Sequence, residues 1–353
     1  MSPVPSDSVG SGSGHLAEPE AVDEFALIAD LFVPLTGGHP AARGLADDAA
    51  FLVAEPGTET VLTVDAMVAG VHFLPDDPPD LIARKLIRVN LSDLAAKGAE
   101  PVALLLAAAF PHDVTADWLR AFAEGLRQDL TTYDTVLIGG DTVATPGPLT
   151  LSLTAIGRVA AGQGLPRSGA SVGDDIWVSG TIGDGSLGLR AARGELNGLS
   201  AADVAFLADR YRLPRPRIEL GPRLIGLAGA SMDVSDGLIQ DLGHLCRASG
   251  VGARIEMALV PLSDSASRAV DFGLVTLASL LSGGDDYEVL FTASPRFAEA
   301  VAALGGSLGL PLTRIGAIVA HADAVTVIDP AGSPLVPVEG GWRHFRAGQR
   351  RDV

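Results

Sequence analysis

Apolar residues follow two alternating rhythms along this chain. Over 21–32 (AVDEFALIADLF) they recur at helical spacing, which predicts a short amphipathic helix. Residues 44–53 read as a loop entering a strand, and 59–65 as a second strand. Residues 79–97 predict a helix with Leu81, Ile82, Leu86, Val89 and Leu94 on its apolar stripe. The continuous run 102–110 reads as a buried strand, far short of the roughly 18 residues that cross a bilayer. Residues 115–129 predict a helix opened by Thr115 and Asp117. A strand at 135–138 then runs into a Gly139-Gly140-Asp141-Thr142 loop, and 149–159 is a β-branched strand.

The Gly/Ala/Pro/Ser-rich connector 160–173 marks a boundary. Beyond it, strands are expected at 175–179, 230–234, 253–257, 286–292, 313–319 and 324–328. Helices are expected at 180–193 (after a turn), 201–210, 216–226, 235–249, 264–271 and 295–304. Strands and helices alternate in both halves, so each half reads as an α/β or α+β layer. The expected organisation is a tail at 1–20, a first domain at 21–160, a second at 161–346 and a tail at 347–353.

Composition narrows the function. A chain of 353 residues with 47% hydrophobic content can bury two cores. A formal net charge of −18 repels nucleic acid and anionic membranes, and would repel a polyphosphate unless cations stood between. Lys85 and Lys97 are the only lysines and there is no G-x-x-x-x-G-K-[ST], so a lysine-based phosphate cradle is not expected. One cysteine, Cys246, fits a reducing cytosol, and the first 20 residues lack the features of a signal peptide. The reading is a cytoplasmic protein with no membrane or nucleic-acid partner.

Candidate chemistry is carboxylate-based. Asp47-Asp48 could supply hard oxygen ligands to Mg²⁺, or form a solvated turn. Thr63 and Asp65 share one face of a strand. Asp93 interrupts an apolar helix one turn after Asn90; its bland alternative is a surface pair with Lys97 at i+4. Asp141 follows two glycines that would let a phosphate or metal approach. In Met232-Asp233-Val234-Ser235-Asp236-Gly237, Ser235 and Asp236 could be ordinary helix caps, yet helix N-termini also bind phosphate. Gly183-Asp184-Gly185-Ser186-Leu187-Gly188 matches G-x-G-x-x-G formally, but the following segment does not suit a dinucleotide fold, and it reads as a decoy. These carboxylates are expected to converge on one cleft, where Mg²⁺ ions would hold ATP.

In order along the chain, LADDAAFL, TVDAMVAGVHF, NLSDLAAKGAEP, LIGGDT, RSGA, GDDIWVSGTIGD, MDVSDGLIQDLGH, SGGDDYEVLFT and GGWRHF resemble the thiamine-monophosphate kinase family. VSDGL and GGD are shared with a wider ATP-using superfamily that includes aminoimidazole ribonucleotide synthetase. The resemblance implies conversion of ATP and thiamine monophosphate to ADP and thiamine diphosphate. It implies several Mg²⁺ ions and a homodimer whose N-terminal sheets join in a barrel. By resemblance, Asp48, Thr63, Asp65, Asp93, Asp141, Asp233 and Asp236 match metal ligands. Gly140, Asp141, Arg167 and Ser235 match ATP contacts. His72, Asp285 and Trp342 match positions that hold thiamine monophosphate.

Four departures accompany the match. Ala46 stands where the family usually has Gly. Val64 replaces a hydroxyl residue, which removes one side-chain metal ligand. Val143 to Gly147 replace a shorter Thr-Arg loop, and Asp285 replaces Glu. Two other readings remain: a superfamily member with a different acceptor, and a nucleotide-binding relative without activity.

Overall fold

The computed structural model describes residues 24–320 and 325–335. The expected tails and Trp342 lie outside these residues. The first sheet has order β1-β4-β2-β3. Its strands are β1 (Thr58–Val68), β2 (Glu100–Pro111), β3 (Val136–Thr145) and β4 (Thr150–Ala160). β4 runs antiparallel to both β1 and β2, and β3 runs parallel to β2. Helix α1 (Glu24–Leu27) continues into a π turn at Ile28–Phe32, while α2 (Pro79–Ala96) and α3 (Ala116–Thr132) are the long helices of this half. Thr115 caps α3 by accepting from the Trp118 N–H at 3.2 Å.

Burial in β1 alternates: Leu62 and Val64 are exposed, whereas Thr63 and Asp65 are half-buried. One face of the sheet therefore packs on helices; the other is open along β1 but is covered near β3, where Ala41 and Ala42 pack on Ala103, Ile138 and Ile156. The packed face joins Leu86, Leu94, Leu126, Leu151 and Leu153 in one core. Each fully buried leucine contributes about 1.5–3 kcal/mol. α2 is buried nearly all round because it also meets the second half through β6 and β8.

The second sheet has order β10-β7-β9-β5-β8-β6. Its strands are β5 (Asp175–Ser179), β6 (Ala228–Val234), β7 (Gly252–Glu256), β8 (Glu288–Ala293), β9 (Leu312–Val319) and β10 (Val325–Ile328). Helices α4 (Asp184–Ala192), α5 (Ala201–Arg212), α6 (Leu238–Ser249), α7 (Asp264–Asp271), α8 (Leu277–Leu280) and α9 (Ala298–Leu308) connect them. α6 covers one face with Leu238, Leu242 and Leu245. Val301 of α9 packs near Trp177 and Phe291, which stack with centroids 6.4 Å apart.

Three expected elements differ. Residues 49–53 form no strand. Residues 216–226 form only a 3-10 turn, Gly221–Leu224, because Pro214, Pro216 and Pro222 interrupt any longer helix. Gly139-Gly140-Asp141-Thr142 lies inside β3 rather than in a loop.

Candidate functional site

Four acidic residues meet between the two halves. Thr63 donates from Oγ1 to Asp93 Oδ2 on α2 at 2.5 Å, and the Asp65 N–H donates to Asn90 Oδ1 at 3.1 Å. These bonds fix β1 against α2. From the other half, the end of β6 delivers Asp233, whose Oδ2 accepts from Ser92 Oγ at 2.8 Å. Burial, then Asp93 and Asp236, push the Asp65 carboxyl up to about 6. Burial, then Asp93, also raise Asp233 well above the usual carboxylate range. Asp65, Asp93, Asp233 and Asp236 therefore share one electrostatic site. Lys97 does not form the surface pair with Asp93; its Nζ donates across to Ser231 O at 2.7 Å. Arg167 lies close enough to help burial lower the Lys97 pKa.

Asp48 and Asp141 belong to a different place. With Asp47, Leu105, Ile156, Gly140 and Thr142 they line a cavity of about 560 Å³. The ladder registers place Asp141 in one row with Ala107, Ser152 and Ala66. Asp65 falls in the neighbouring row with Leu153 and Leu106, on the opposite face. The expected convergence on one cleft is thus not met within the chain; the carboxylates form two groups on opposite faces of the sheet. Val64 also lies on the open face, so its missing hydroxyl takes no oxygen from the Asp65 face. Gly140 is needed by the sheet itself: a Cβ there would lie 1.8 Å from Leu106 O.

Among the described residues, no three Asp, Glu, His or Cys side chains are arranged to hold a metal ion. The donor types present, carboxylate and hydroxyl oxygens, are those a hard divalent cation takes. Carboxylate oxygens and a hydroxyl come from β1, α2 and β6, and the burial and, second to it, the neighbouring negative charge that raise Asp65 and Asp233 are costs that a cation would offset.

Both glycine-rich helix entries are occupied by the protein's own carboxylates. Asp286 accepts from the Gly183 and Gly185 N–H groups at 2.8 and 2.9 Å. The G-x-G-x-x-G segment is therefore filled internally: Gly185 admits the Asp285 backbone, Gly183 the Leu280 side chain and Gly188 the Leu207 carbonyl. Ser235 and Asp236 do not cap α6, whose N-cap is Gly237. The N–H groups of Ser235, Asp236 and Gly237 instead donate to Asp241 Oδ2 at 3.0 to 3.2 Å. Burial, then Asp236, raise Asp241 to about 7 even against these three bonds. A carboxylate four to six residues downstream was the signal that sequence reading missed.

His72 Nδ1 accepts from the Val68 N–H at 3.0 Å. The neutral ring thus carries its proton on Nε2, as a donor suited to an anion. Asp285 and Tyr287 both adopt left-handed backbone, φ 69° and 53°. For an aromatic residue that is strained, and such strain collects at functional sites. It turns the Tyr287 hydroxyl onto Asp285 Oδ1 at 3.3 Å. Burial first, then the nearby Asp285, Asp65 and Asp233, raise the Tyr287 pKa, so the hydroxyl is within electrostatic reach of the acidic site.

This two-sheet arrangement is that of the AIR synthase related proteins. Family models match the N-terminal domain at residues 46–159 and the C-terminal domain at 171–329. Within that class, the chain belongs to the thiamine-monophosphate kinase family. It is 44% identical over 327 residues to the thiamine-monophosphate kinase of Caulobacter vibrioides, covering 91% of this chain and 90% of the relative. The crystal structure of thiamine-monophosphate kinase from Stenotrophomonas maltophilia K279a superposes with TM-score 0.73 at 42% identity, covering 80% of this chain and 89% of that one. AaThiL complexed with AMPPCP and TMP also gives 0.73, at 30% identity, covering 83% and 89%. No described helix is long and apolar enough to cross a membrane.

Proposed function

We propose that this protein transfers the γ-phosphoryl group of ATP to thiamine monophosphate, giving ADP and thiamine diphosphate. The observation that carries this reading is the link between the loop and the acidic site: His72 and Asp285 meet on Lys85, and Tyr287, bonded to Asp285, is within electrostatic reach of Asp65 and Asp233, in a kinase-family chain. Two anions must approach one another. The acceptor phosphate is already largely ionised near neutral pH, by analogy with a phosphoserine second pKa of about 6, so no general base is needed. Positioning and charge neutralisation are needed instead.

A divalent cation held by these carboxylates would supply that neutralisation. Asp65, Asp93, Asp233 and Asp236, with Thr63, would hold Mg²⁺ from one group, and Asp48 and Asp141 from the other. His72 donates to the acceptor phosphate, and Asp285 faces the cationic ring system of thiamine. Arg167, Gly140 and Ser235 serve the nucleotide, and Trp342 is assigned to the acceptor ring by resemblance.

The opposed carboxylate groups favour a homodimer, in which a second copy wrapped round the β1 edge could bring its Asp141 to this chain's Asp65 while covering the open face. β1 is an edge strand, and Leu62 and Val64 are 65% and 61% exposed on that face. The domains are taken as 21–160 and 161–346. ATP consumption supports a cytoplasmic setting. The test is thiamine diphosphate formation by purified protein, with and without Mg²⁺. Mg²⁺-dependent product is expected; no product with thiamine monophosphate, alongside turnover of another acceptor, would replace this reading.

A further inference from the structure

Lys85 stands on the apolar stripe of α2, where a charge is unexpected, and is 2% exposed. Its Nζ donates to His72 O at 3.0 Å and to Asp285 Oδ2 at 3.4 Å. It also sits 3.6 Å from the centroid of the Tyr211 ring. An ammonium has three donors and no acceptor. All three are spent on electron-rich partners: a carbonyl, a carboxylate and an aromatic face. His72 belongs to the β1–α2 loop, Asp285 to the loop before β8, and Tyr211 to α5. The Tyr211 hydroxyl donates to the same His72 carbonyl at 3.4 Å. Nearby, Arg212 pairs with Asp77 at 2.6 Å, and Asp77 accepts from the Leu74 N–H at 3.0 Å. The His72 loop is therefore strapped to the second half from both ends.

We infer that Lys85 is a positioning residue for the acceptor: it sets the distance between the His72 ring and the Asp285 carboxylate, which come from different halves of the protein. The inference deepens the proposed function and rests on it. Nothing in the geometry ties Lys85 to Asp48, Asp141 or Arg167, the residues assigned to the nucleotide. Its loss should thus weaken thiamine monophosphate and spare ATP. A charge-assisted hydrogen bond of this kind is worth roughly tenfold in affinity or more.

The test compares steady-state constants for wild type, K85M, D285N and K85M/D285N. Expected for K85M is a KM for thiamine monophosphate raised roughly tenfold, with the KM for ATP within about twofold. Because Lys85 acts through Asp285, the double variant should be scarcely worse than D285N, a non-additivity that general loosening would not give. If K85M does not fold, Y211F decides: it keeps the ring under the ammonium and deletes one bond to His72 O. A selective rise of about threefold in the same KM is expected there. Unchanged constants, equal shifts in both KM values, or additive effects in the double variant overturn the inference. An inactive wild type would instead overturn the functional reading, which keeps the two failures apart.

Discussion

Ser92 and Asp233, 141 residues apart in sequence, are joined by one hydrogen bond of 2.8 Å. Both are buried, Ser92 on α2 and Asp233 at the end of β6. This bond opposes the rise that burial imposes on the Asp233 carboxyl. In S92A, Asp233 should ionise less readily and bind a cation more weakly. A lost bond of this kind is worth about 1 kcal/mol, so the Mg²⁺ needed for half-maximal rate should rise about fivefold. Titrating Mg²⁺ at saturating substrates reads this directly, and a superimposable curve would remove Asp233 from the ligand set.

Opposite faces of the first sheet carry Asp65 and Asp141. If a second copy completes the site, D65N and D141N are each inactive as pure proteins but complement one another. Equal mixing with free subunit exchange leaves half the dimers mixed, each with one intact site, so about a quarter of wild-type activity should return. Persistent inactivity after verified exchange would mean that both groups act within one chain.

Glu288 is fully buried at the start of β8, where Arg210 contacts it at 3.0 Å, Ser179 at 2.6 Å and Arg217 through Nε and Nη2. E288A removes the shared counter-charge of two arginines. Breaking such a pair by deleting one partner costs about 3–5 kcal/mol. Equilibrium unfolding in denaturant should show a loss of that size; a loss below about 1 kcal/mol would mean that water reaches these arginines.

Asp203, in the first turn of α5, is held well below the usual carboxylate range by Arg268 first, then by Ser200 and Ser265. A carboxyl lowered on folding stabilises the protein above its unfolded pKa of about 3.9, and that contribution fades as pH falls toward the folded value. D203N should therefore be less stable than wild type at pH 7, with the gap narrowing from about pH 4 downward. Unfolding curves at pH 7, 4 and 3 check this, and a gap that widened on acidification would reverse the sign.

The alternating rhythms exposed the α2 stripe, the β1 alternation and most strands of the second sheet, because period alone encodes them. Which face a carboxylate occupies is a matter of register. Between Leu104 and Leu105 the pairing with β3 skips Ile138, and a one-residue slip exchanges the faces. No local pattern announces that skip, and Asp141, expected on a loop free to reach Asp65, instead has its face fixed by its place in the strand. The G-x-G-x-x-G segment misled for a related reason. Its glycines do admit close neighbours, but these are parts of the protein, with the Asp285–Asp286 loop about 100 residues downstream taking the Gly183 and Gly185 N–H groups, and a motif does not reveal them.

Both lysines of the chain lie on or immediately after α2, and both reach across to the second half. A lysine-directed protease therefore has two cutting points, each tucked under the opposite half, and a folded molecule should resist it. Cleavage would begin only when this one helix lifts away, making the digestion rate a gauge of how often the halves part.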